Sequence, residues 1–315
     1  MPIISADLFN DDDNITFPKP IIKWVGGKTQ ILNKLIDKFP KEINNYREPF
    51  IGGGSVLLAV LTQIKCKKIK ISGRIFASDV NDALINLYKN IQSNHEILYN
   101  ELQNIINEYN NCDNKKTNLN RKPKTIDDAK LCKENYYYWI RQEYNKTENK
   151  NTPYCSAMFI FLNKTCFRGV FRIGPHGFNV PFGNYINPEI INKKHLNDIH
   201  DLIKDVVFEC CNFEDALNNV QNDDFIYLDP PYVPITATSF VGYTADGFNK
   251  HEHLFNIIDT LTTQNKKIIL SNTDVAIVRE HFTDDKYNTE IVLCKRKINS
   301  KTPQSKTNEV IIQNY

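Results

Sequence analysis

A carboxylate, two prolines and an aromatic ring follow one another in Asp229-Pro-Pro-Tyr232, directly after the apolar run Phe225-Ile-Tyr-Leu228. A short apolar run of this kind reads as a buried strand, and ligands of open α/β sheets gather just beyond the carboxyl ends of such strands. The residue types suit alkylation of an aromatic amine. The exocyclic amino group of adenine is a weak nucleophile because its lone pair is delocalised into the ring. A catalyst must therefore hold it, accept hydrogen bonds from its N–H groups and align it with an electrophilic methyl group. The carboxylate of Asp229 and the carbonyl of Pro230 can accept, and Tyr232 can stack on the base. Pro230 and Pro231 fix the carbonyl direction through their restricted φ. A base treated in this way must leave the duplex stack, at a cost of a few kcal/mol that the pocket has to offset. No covalent nucleophile is needed, so the eight cysteines need no role in it. A rigid strand-to-loop turn around a buried tyrosine is the plain structural alternative.

A second constellation lies upstream. Phe50-Ile-Gly52-Gly-Gly54 stands between a predicted strand and a predicted helix, where glycine allows a backbone to approach a ligand closely. Leu57 occupies the place of the third glycine in the dinucleotide fingerprint. Asp79, 25 residues beyond Gly54, ends the next predicted strand and is placed to accept hydrogen bonds from ribose hydroxyls. Together these favour an adenosine-containing cofactor without choosing between NAD and S-adenosylmethionine. Gly26-Gly27-Lys28-Thr29 invites a phosphate-loop reading, but Ile22 stands where that motif requires its first glycine. His251-Glu-His253 is a poor metal pair, because i, i+2 spacing puts the two rings on different helix faces.

The elements that would carry these residues alternate. Helical spacing runs from Ile31 to Phe39 and stops at Pro40, a short strand ends at Glu48, and Ser55 to Leu61 has helix-forming composition. Residues 74–79 read as a strand, followed by one or two helices extending to Tyr109. Strands resume at 205–209, 224–228 and 267–270, and the segments 286–298 and 309–313 alternate like a hairpin. Such alternation of strand and helix predicts a parallel sheet. Between about 110 and 150 the composition shifts to Asn, Lys and Tyr around a predicted helix over 127–144, as expected of an inserted second unit. Residues 1–19, with Asp11-Asp12-Asp13 and then Pro18 just before Pro20, read as an N-terminal arm.

At 315 residues with 41% hydrophobic and 24% charged side chains, the chain has the composition of a globular protein, and no apolar run approaches the length of a membrane helix. A soluble intracellular protein with reduced thiols is expected. The formal charge is only +2, yet residues 112–172 hold thirteen Lys and Arg against six acids. A second basic stretch comprises Lys295-Arg-Lys297, Lys301 and Lys306. Clustered cations in a near-neutral chain suit a polyanion, because each one set against a phosphate releases counterions; a solvated lysine-rich surface is the competing reading.

In the same order along the chain, from about Pro20 to Tyr315, these segments resemble the Dam-type, alpha-class (D12 class) DNA adenine-N6 methyltransferases. Lys23-Trp24-Val-Gly-Gly-Lys28 resembles the opening motif, Glu48-Pro-Phe50-Ile-Gly52-Gly-Gly54 the glycine motif, and Ser78-Asp79-Val-Asn81 the ribose segment. Leu162 to Arg172 and Phe178-Asn-Val-Pro-Phe-Gly183 resemble a recognition hairpin and its continuation, Asp229-Pro-Pro-Tyr232 the catalytic tetrad, and Leu270-Ser-Asn272 a later core motif. Aspartate at 229 points to adenine, since relatives acting on cytosine N4 usually carry serine there. The resemblance implies a Rossmann-like α/β methyltransferase domain (20–88 and 193–315) interrupted by a mainly helical target-recognition domain (89–192) that carries a β-hairpin near 165–185. It implies Asp229, Pro230, Pro231 and Tyr232 as catalytic residues, with Trp24, Lys28, Phe50, Gly52, Gly54, Asp79 and Asp229 at S-adenosylmethionine, which leaves as S-adenosylhomocysteine without help from a metal. Double-stranded DNA is the implied partner, with a cognate restriction endonuclease acting on the same site as a further one. Arg172 suits the O6/N7 edge of guanine. Arg168 suits a base or a phosphate equally, and Tyr185 a backbone contact. Departures from the family pattern sit at Arg168 and Asn184, in the recognition region. The alternatives are a catalytically silent DNA-binding module and an RNA adenine methyltransferase.

Overall fold

A computed structural model describes residues 15–113, 119–234, 248–295 and 306–315. Most of the arm, Lys115, Lys116, Arg296, Lys297 and Lys301 lie outside the described residues. In chain order, the first half contains α1 (Leu32–Asp37), β1 (Glu42–Ile43), β2 (Tyr46–Glu48), α2 (Ser55–Lys65), β3 (Lys70–Ile71), β4 (Ile75–Asp79), α3 (Asp82–Asn111), α4 (Ile126–Lys130), α5 (Lys133–Lys146) and α6 (Pro153–Thr165). The second half contains β5 (Ile173–Gly174), β6 (Gly177–Phe178), α7 (Lys193–Ile203), β7 (Val206–Cys210), α8 (Phe213–Leu217), β8 (Phe225–Leu228), α9 (His251–Thr263), β9 (Lys267–Thr273), α10 (Ala276–His281), β10 (Asn288–Lys295) and β11 (Lys306–Gln313).

One seven-stranded sheet, in the order β10-β11-β9-β8-β2-β4-β7, organises the molecule. The ladders from β7 through β9 are parallel, while β11 runs antiparallel to both β9 and β10. Every residue of β8 is buried, as expected of a central parallel strand covered on both faces. Alternation along β8 divides the core in two. Phe225 and Tyr227 pack with α2, α3 and α7, whereas Ile226 and Leu228 pack with α8, α9 and α10. The chain goes from β2 to β4 and β7 on one side and from β8 to β9 on the other. The strand order therefore reverses between β2 and β8, and the crevice at their carboxyl ends is where such sheets bind ligands.

The amino ends of these two strands are pinned by Asp224, which is fully buried. It takes the Arg47 Nε–H at 2.9 Å, the Asn45 amide side chain at 2.7 Å and the Gln221 backbone N–H at 2.9 Å. A buried carboxylate with this many donors holds the register of β2 against β8 at the end remote from the crevice.

The segment between β4 and α7 is mainly helical. Helix α3 runs from the sheet into it, with a non-helical residue at Asn94, and packs along α6. Helix α6 is buried nearly all round, which suits its sequence Pro-Tyr-Cys-Ser-Ala-Met-Phe-Ile-Phe-Leu. The helix predicted over 127–144 is two helices instead. Leu131 and Cys132 separate α4 from α5, and Thr125 with Asp128 forms a capping box that starts α4 independently. No helix among the described residues is long and apolar enough to cross a membrane.

Candidate active site

Three neighbouring strands deliver the sequence-predicted residues to one crevice. The glycine turn follows β2, Asp79 ends β4, and Asp229 follows β8. Since β4 and β8 both flank β2, their ends stand two strand spacings apart, roughly 10 Å.

Gly52 and Gly54 take left-handed backbone conformations (φ +48° and +74°). The turn has protein on one side. A Cβ on Gly53 would stand 2.8 Å from the Trp24 side chain, and one on Gly54 would stand 2.4 Å from the Tyr88 oxygen, whose hydroxyl donates to the Gly53 carbonyl. Gly52 turns its N–H to Asp79 at 3.1 Å, and Asn81 N–H adds a second bond at 3.0 Å. Burial raises the Asp79 carboxyl above its usual range, and these backbone donors pull it back. Phe50 is half-buried, stacked on Phe213 at 5.6 Å and edge-on to Phe248 at 6.0 Å. Trp24 stacks on Phe171 at 5.4 Å.

Asp229 meets Lys28, the Nζ to Oδ2 distance being 2.7 Å. The same ammonium donates to the Gly26 carbonyl at 2.6 Å and lies 4.8 Å from the centre of the Tyr232 ring. The Lys28 side chain is 3% exposed and that of Asp229 19%, so the carboxylate alone faces the crevice. Lys28 was expected at the cofactor, as was Asp229, and the two pair with each other. Burial pushes the Asp229 carboxyl up to about 6 against the pull of Lys28. Tyr232 donates its hydroxyl to Glu309 at 2.9 Å, and Val233 N–H is held by Asn272 at 3.1 Å. Beneath them Glu48, 2% exposed, accepts the Tyr46 hydroxyl at 2.7 Å. Burial is the chief reason its carboxyl rises to about 8.

The residues expected to recognise the target follow α6 in the chain. Arg172 is exposed and reaches across the β5–β6 hairpin, its Nε–H donating to Asn179 at 2.6 Å. Arg168 is exposed in a left-handed conformation (φ 58°), with its guanidinium 5.2 Å from the Phe167 ring centre. Tyr185 is half-buried under the Lys23 ammonium at 4.5 Å. The hairpin is braced from behind by Tyr137, which donates to the Val180 carbonyl at 2.7 Å, and by Asn145, which bonds both the N–H and the carbonyl of Phe178. Several cations of the basic segment are already engaged. Arg121 pairs with Glu134, Lys130 with Glu108 and Lys146 with Glu143, while Lys150 caps the Tyr144 and Thr147 carbonyls.

Residues 23–28 touch all of these places. Asn163 accepts from Lys23 N–H and donates to its carbonyl, both at 2.8 Å, and also donates to Gly169. Trp24 covers the glycine turn, and Lys28 ends at Asp229. Sequence reasoning missed Asn163, Glu48, Glu309 and Phe213 as parts of the site. The first two stand inside the quoted motifs, but only the fold supplies their partners.

A family model described as D12 class N6 adenine-specific DNA methyltransferase matches residues 24–298. The Type II methyltransferase M.MjaIII of Methanocaldococcus jannaschii is 35% identical, over 94% of this chain and 99% of its own. The Type II methyltransferase M1.LlaDCHI of Lactococcus lactis subsp. cremoris is 28% identical over 94% and 95%, and the DNA adenine methylase of Escherichia coli 27% identical over 90% of both chains. With a crevice of this geometry and a match along nearly its whole length, the chain belongs to the D12 class N6 adenine-specific DNA methyltransferase family.

Proposed function

We propose that Asp229, Pro230, Pro231 and Tyr232 form the pocket of a site-specific enzyme that methylates the N6 of an adenine flipped out of double-stranded DNA. The observation that carries this reading is the placement of a partly exposed, ion-paired carboxylate and an anchored aromatic ring at the sheet's switch point. An ionised Asp229 accepts from the adenine amino group and concentrates electron density on its nitrogen. The Pro230 carbonyl takes the second N–H, and the Tyr232 ring supports the base from its face. Lys28 holds the carboxylate ionised while the pocket has no base in it, and must then share that carboxylate with the incoming amine.

The donor set of the crevice suits S-adenosylmethionine, which the family implies. Carboxylates at Asp79 and Asp229 together with the rings of Trp24 and Phe50 match a cationic ligand that bears a diol. In this reading Asp79 holds the ribose hydroxyls, the turn through Gly52 and Gly54 lies along the ligand, and Trp24 and Phe50 wall it. The cofactor, when bound, supplies an electrophilic methyl group and leaves as S-adenosylhomocysteine, a chemistry that asks for no metal.

We read residues 20–88 and 193–315 as the catalytic domain and 89–192 as the target-recognition domain, with Arg172 on a guanine, Arg168 on a base or phosphate, and Tyr185 near the backbone. The hydrogen bond from Arg172 to Asn179 supports this, because a side chain held in place before binding loses less entropy on meeting a base. The Type II names of two relatives support a companion restriction endonuclease sharing the target. The test is incorporation of labelled methyl groups into duplex DNA, with mapping of the modified adenines. Wild-type incorporation no greater than that of Asp229→Ala would sink the catalytic assignment. Arg172→Ala should relax one target position, by about 1–3 kcal/mol of discrimination, and an unchanged target word would remove Arg172 from base reading.

A further inference from the structure

Tyr232 lies in the loop after β8, yet it must present its ring at a fixed angle to a base. What holds it comes from the opposite end of the chain. Glu309 lies on β11, paired with Thr273 of β9 on one side and Val292 of β10 on the other, so its backbone is fixed by two ladders. Its carboxylate accepts the Tyr232 hydroxyl at 2.9 Å, and it lies close enough to the buried Cys294 of β10 to raise that thiol further after burial has done so. The next three residues of the strand, Val310, Ile311 and Ile312, are at most 2% exposed. Glu309 itself is half-buried at the edge of this apolar stretch, where its carboxylate can reach the loop after β8.

We propose that Glu309 is a positioning residue for methyl transfer: a strand-borne carboxylate that fixes the Tyr232 ring beside Asp229 by holding its hydroxyl. The proposal rests on reading Asp229 to Tyr232 as the base pocket. A charge-assisted bond from a rigid strand stops the ring from swinging on its loop, while Lys28 contacts the ring. Glu309 also adds negative charge beside Asp229 and so opposes Lys28, raising the Asp229 carboxyl. Among the described residues, the groups facing Asp229 are thus Lys28 from the segment before α1, Glu48 on β2, Tyr227 on β8, Tyr232 in the following loop, and Glu309.

The experiment compares kcat, KM for duplex DNA and the pH profile of methyl incorporation for wild type, Glu309→Gln, Glu309→Ala and Tyr232→Phe, with Asp229→Ala as the blank and thermal melting of each as a check on folding. Glu309→Ala should lose about ten- to a hundredfold in kcat with little change in KM, the scale of misplacing a reacting group by an ångström. Glu309→Gln retains an acceptor for the hydroxyl and should recover most of that loss, while its acid limb moves to lower pH because the negative charge is gone. In a Tyr232→Phe background Glu309→Gln should leave kcat unaltered but still move the acid limb. Equal losses in the Gln and Ala variants with an unmoved acid limb would mark Glu309 as plain packing and overturn the proposal, as would an Ala variant with wild-type kcat. Wild-type activity no higher than the blank would instead bring down the pocket reading, and the positioning role with it.

Discussion

Replacing Glu48 with glutamine should stabilise the protein, by an amount that depends on pH. In the unfolded chain this carboxyl ionises with its ordinary value of 4.5; in the fold, burial holds it neutral up to about 8. Below pH 4.5 both states keep the proton, and ionisation costs the fold nothing. As pH rises the unfolded state releases its proton while the folded state retains it, so wild-type stability falls by about 1.4 kcal/mol per pH unit until the folded carboxyl also ionises. At pH 7 the accumulated cost is about 3 kcal/mol, a large share of the ~5–15 kcal/mol that a domain has in hand. Glutamine is neutral in both states and can still accept the Tyr46 hydroxyl. Urea titrations of wild type and Glu48→Gln at pH 5, 6, 7 and 8 measure the difference. It should be small at pH 5 and grow steadily to about 3 kcal/mol at pH 7. A difference that stays flat with pH, or a glutamine variant that is the less stable protein at pH 7, would refute the reasoning. The pH 7 activity should survive the change, because glutamine imitates the neutral group that the fold already contains.

Further outcomes follow from the same geometry. Methyl transfer by the wild type should fall about tenfold per pH unit below about pH 6, as Asp229 takes up a proton. Lys28→Met should move that limb to higher pH by removing the cation that favours the ionised form; a limb left in place in an initial-rate profile would exclude Asp229 as its origin. Gly54→Ala should cost about 1–3 kcal/mol in thermal or urea unfolding, because alanine must adopt φ +74° and meets the Tyr88 oxygen. Adding Tyr88→Phe should relieve part of that loss, and a loss unchanged by the second substitution would leave backbone strain as the only term.

The sequence made the alternating elements legible because parallel strands are short apolar runs bounded by loops, as in Phe225-Ile-Tyr-Leu228. It also marked the three strand ends where the chemistry collects, since Asp79, the glycine turn and Asp229 stand just past such runs. Strand β2 was harder, because Tyr46, Arg47 and Glu48 look like a surface segment and are buried only through partners supplied by Asp224 and by one another. Lys28 shows the same limit. Its motif says nothing of a partner some two hundred residues away in the loop after β8. Glu309 reads as the polar half of an alternating strand, and no local pattern distinguishes a solvated carboxylate from one facing Tyr232. The break between α4 and α5 was hidden because periodicity continues across Leu131 and Cys132, although the cap at Thr125 restarts the helix.

On the proposed reading of the hairpin as the part that meets the target, the stretch 23–28 has a consequence for how new target words can arise. Its first residue is clasped by Asn163 next to the hairpin, its second lies over the glycine turn, and its last ends on the Asp229 carboxylate. The hairpin is therefore not an interchangeable cartridge. A chimera that takes residues 162–183 from a relative but keeps its own opening segment would set a foreign loop against Lys23 and Trp24, and the misfit would be transmitted through six residues to the carboxylate. Grafts that carry both stretches together keep that joint intact, and lineages that change their target word should be expected to change the two in concert.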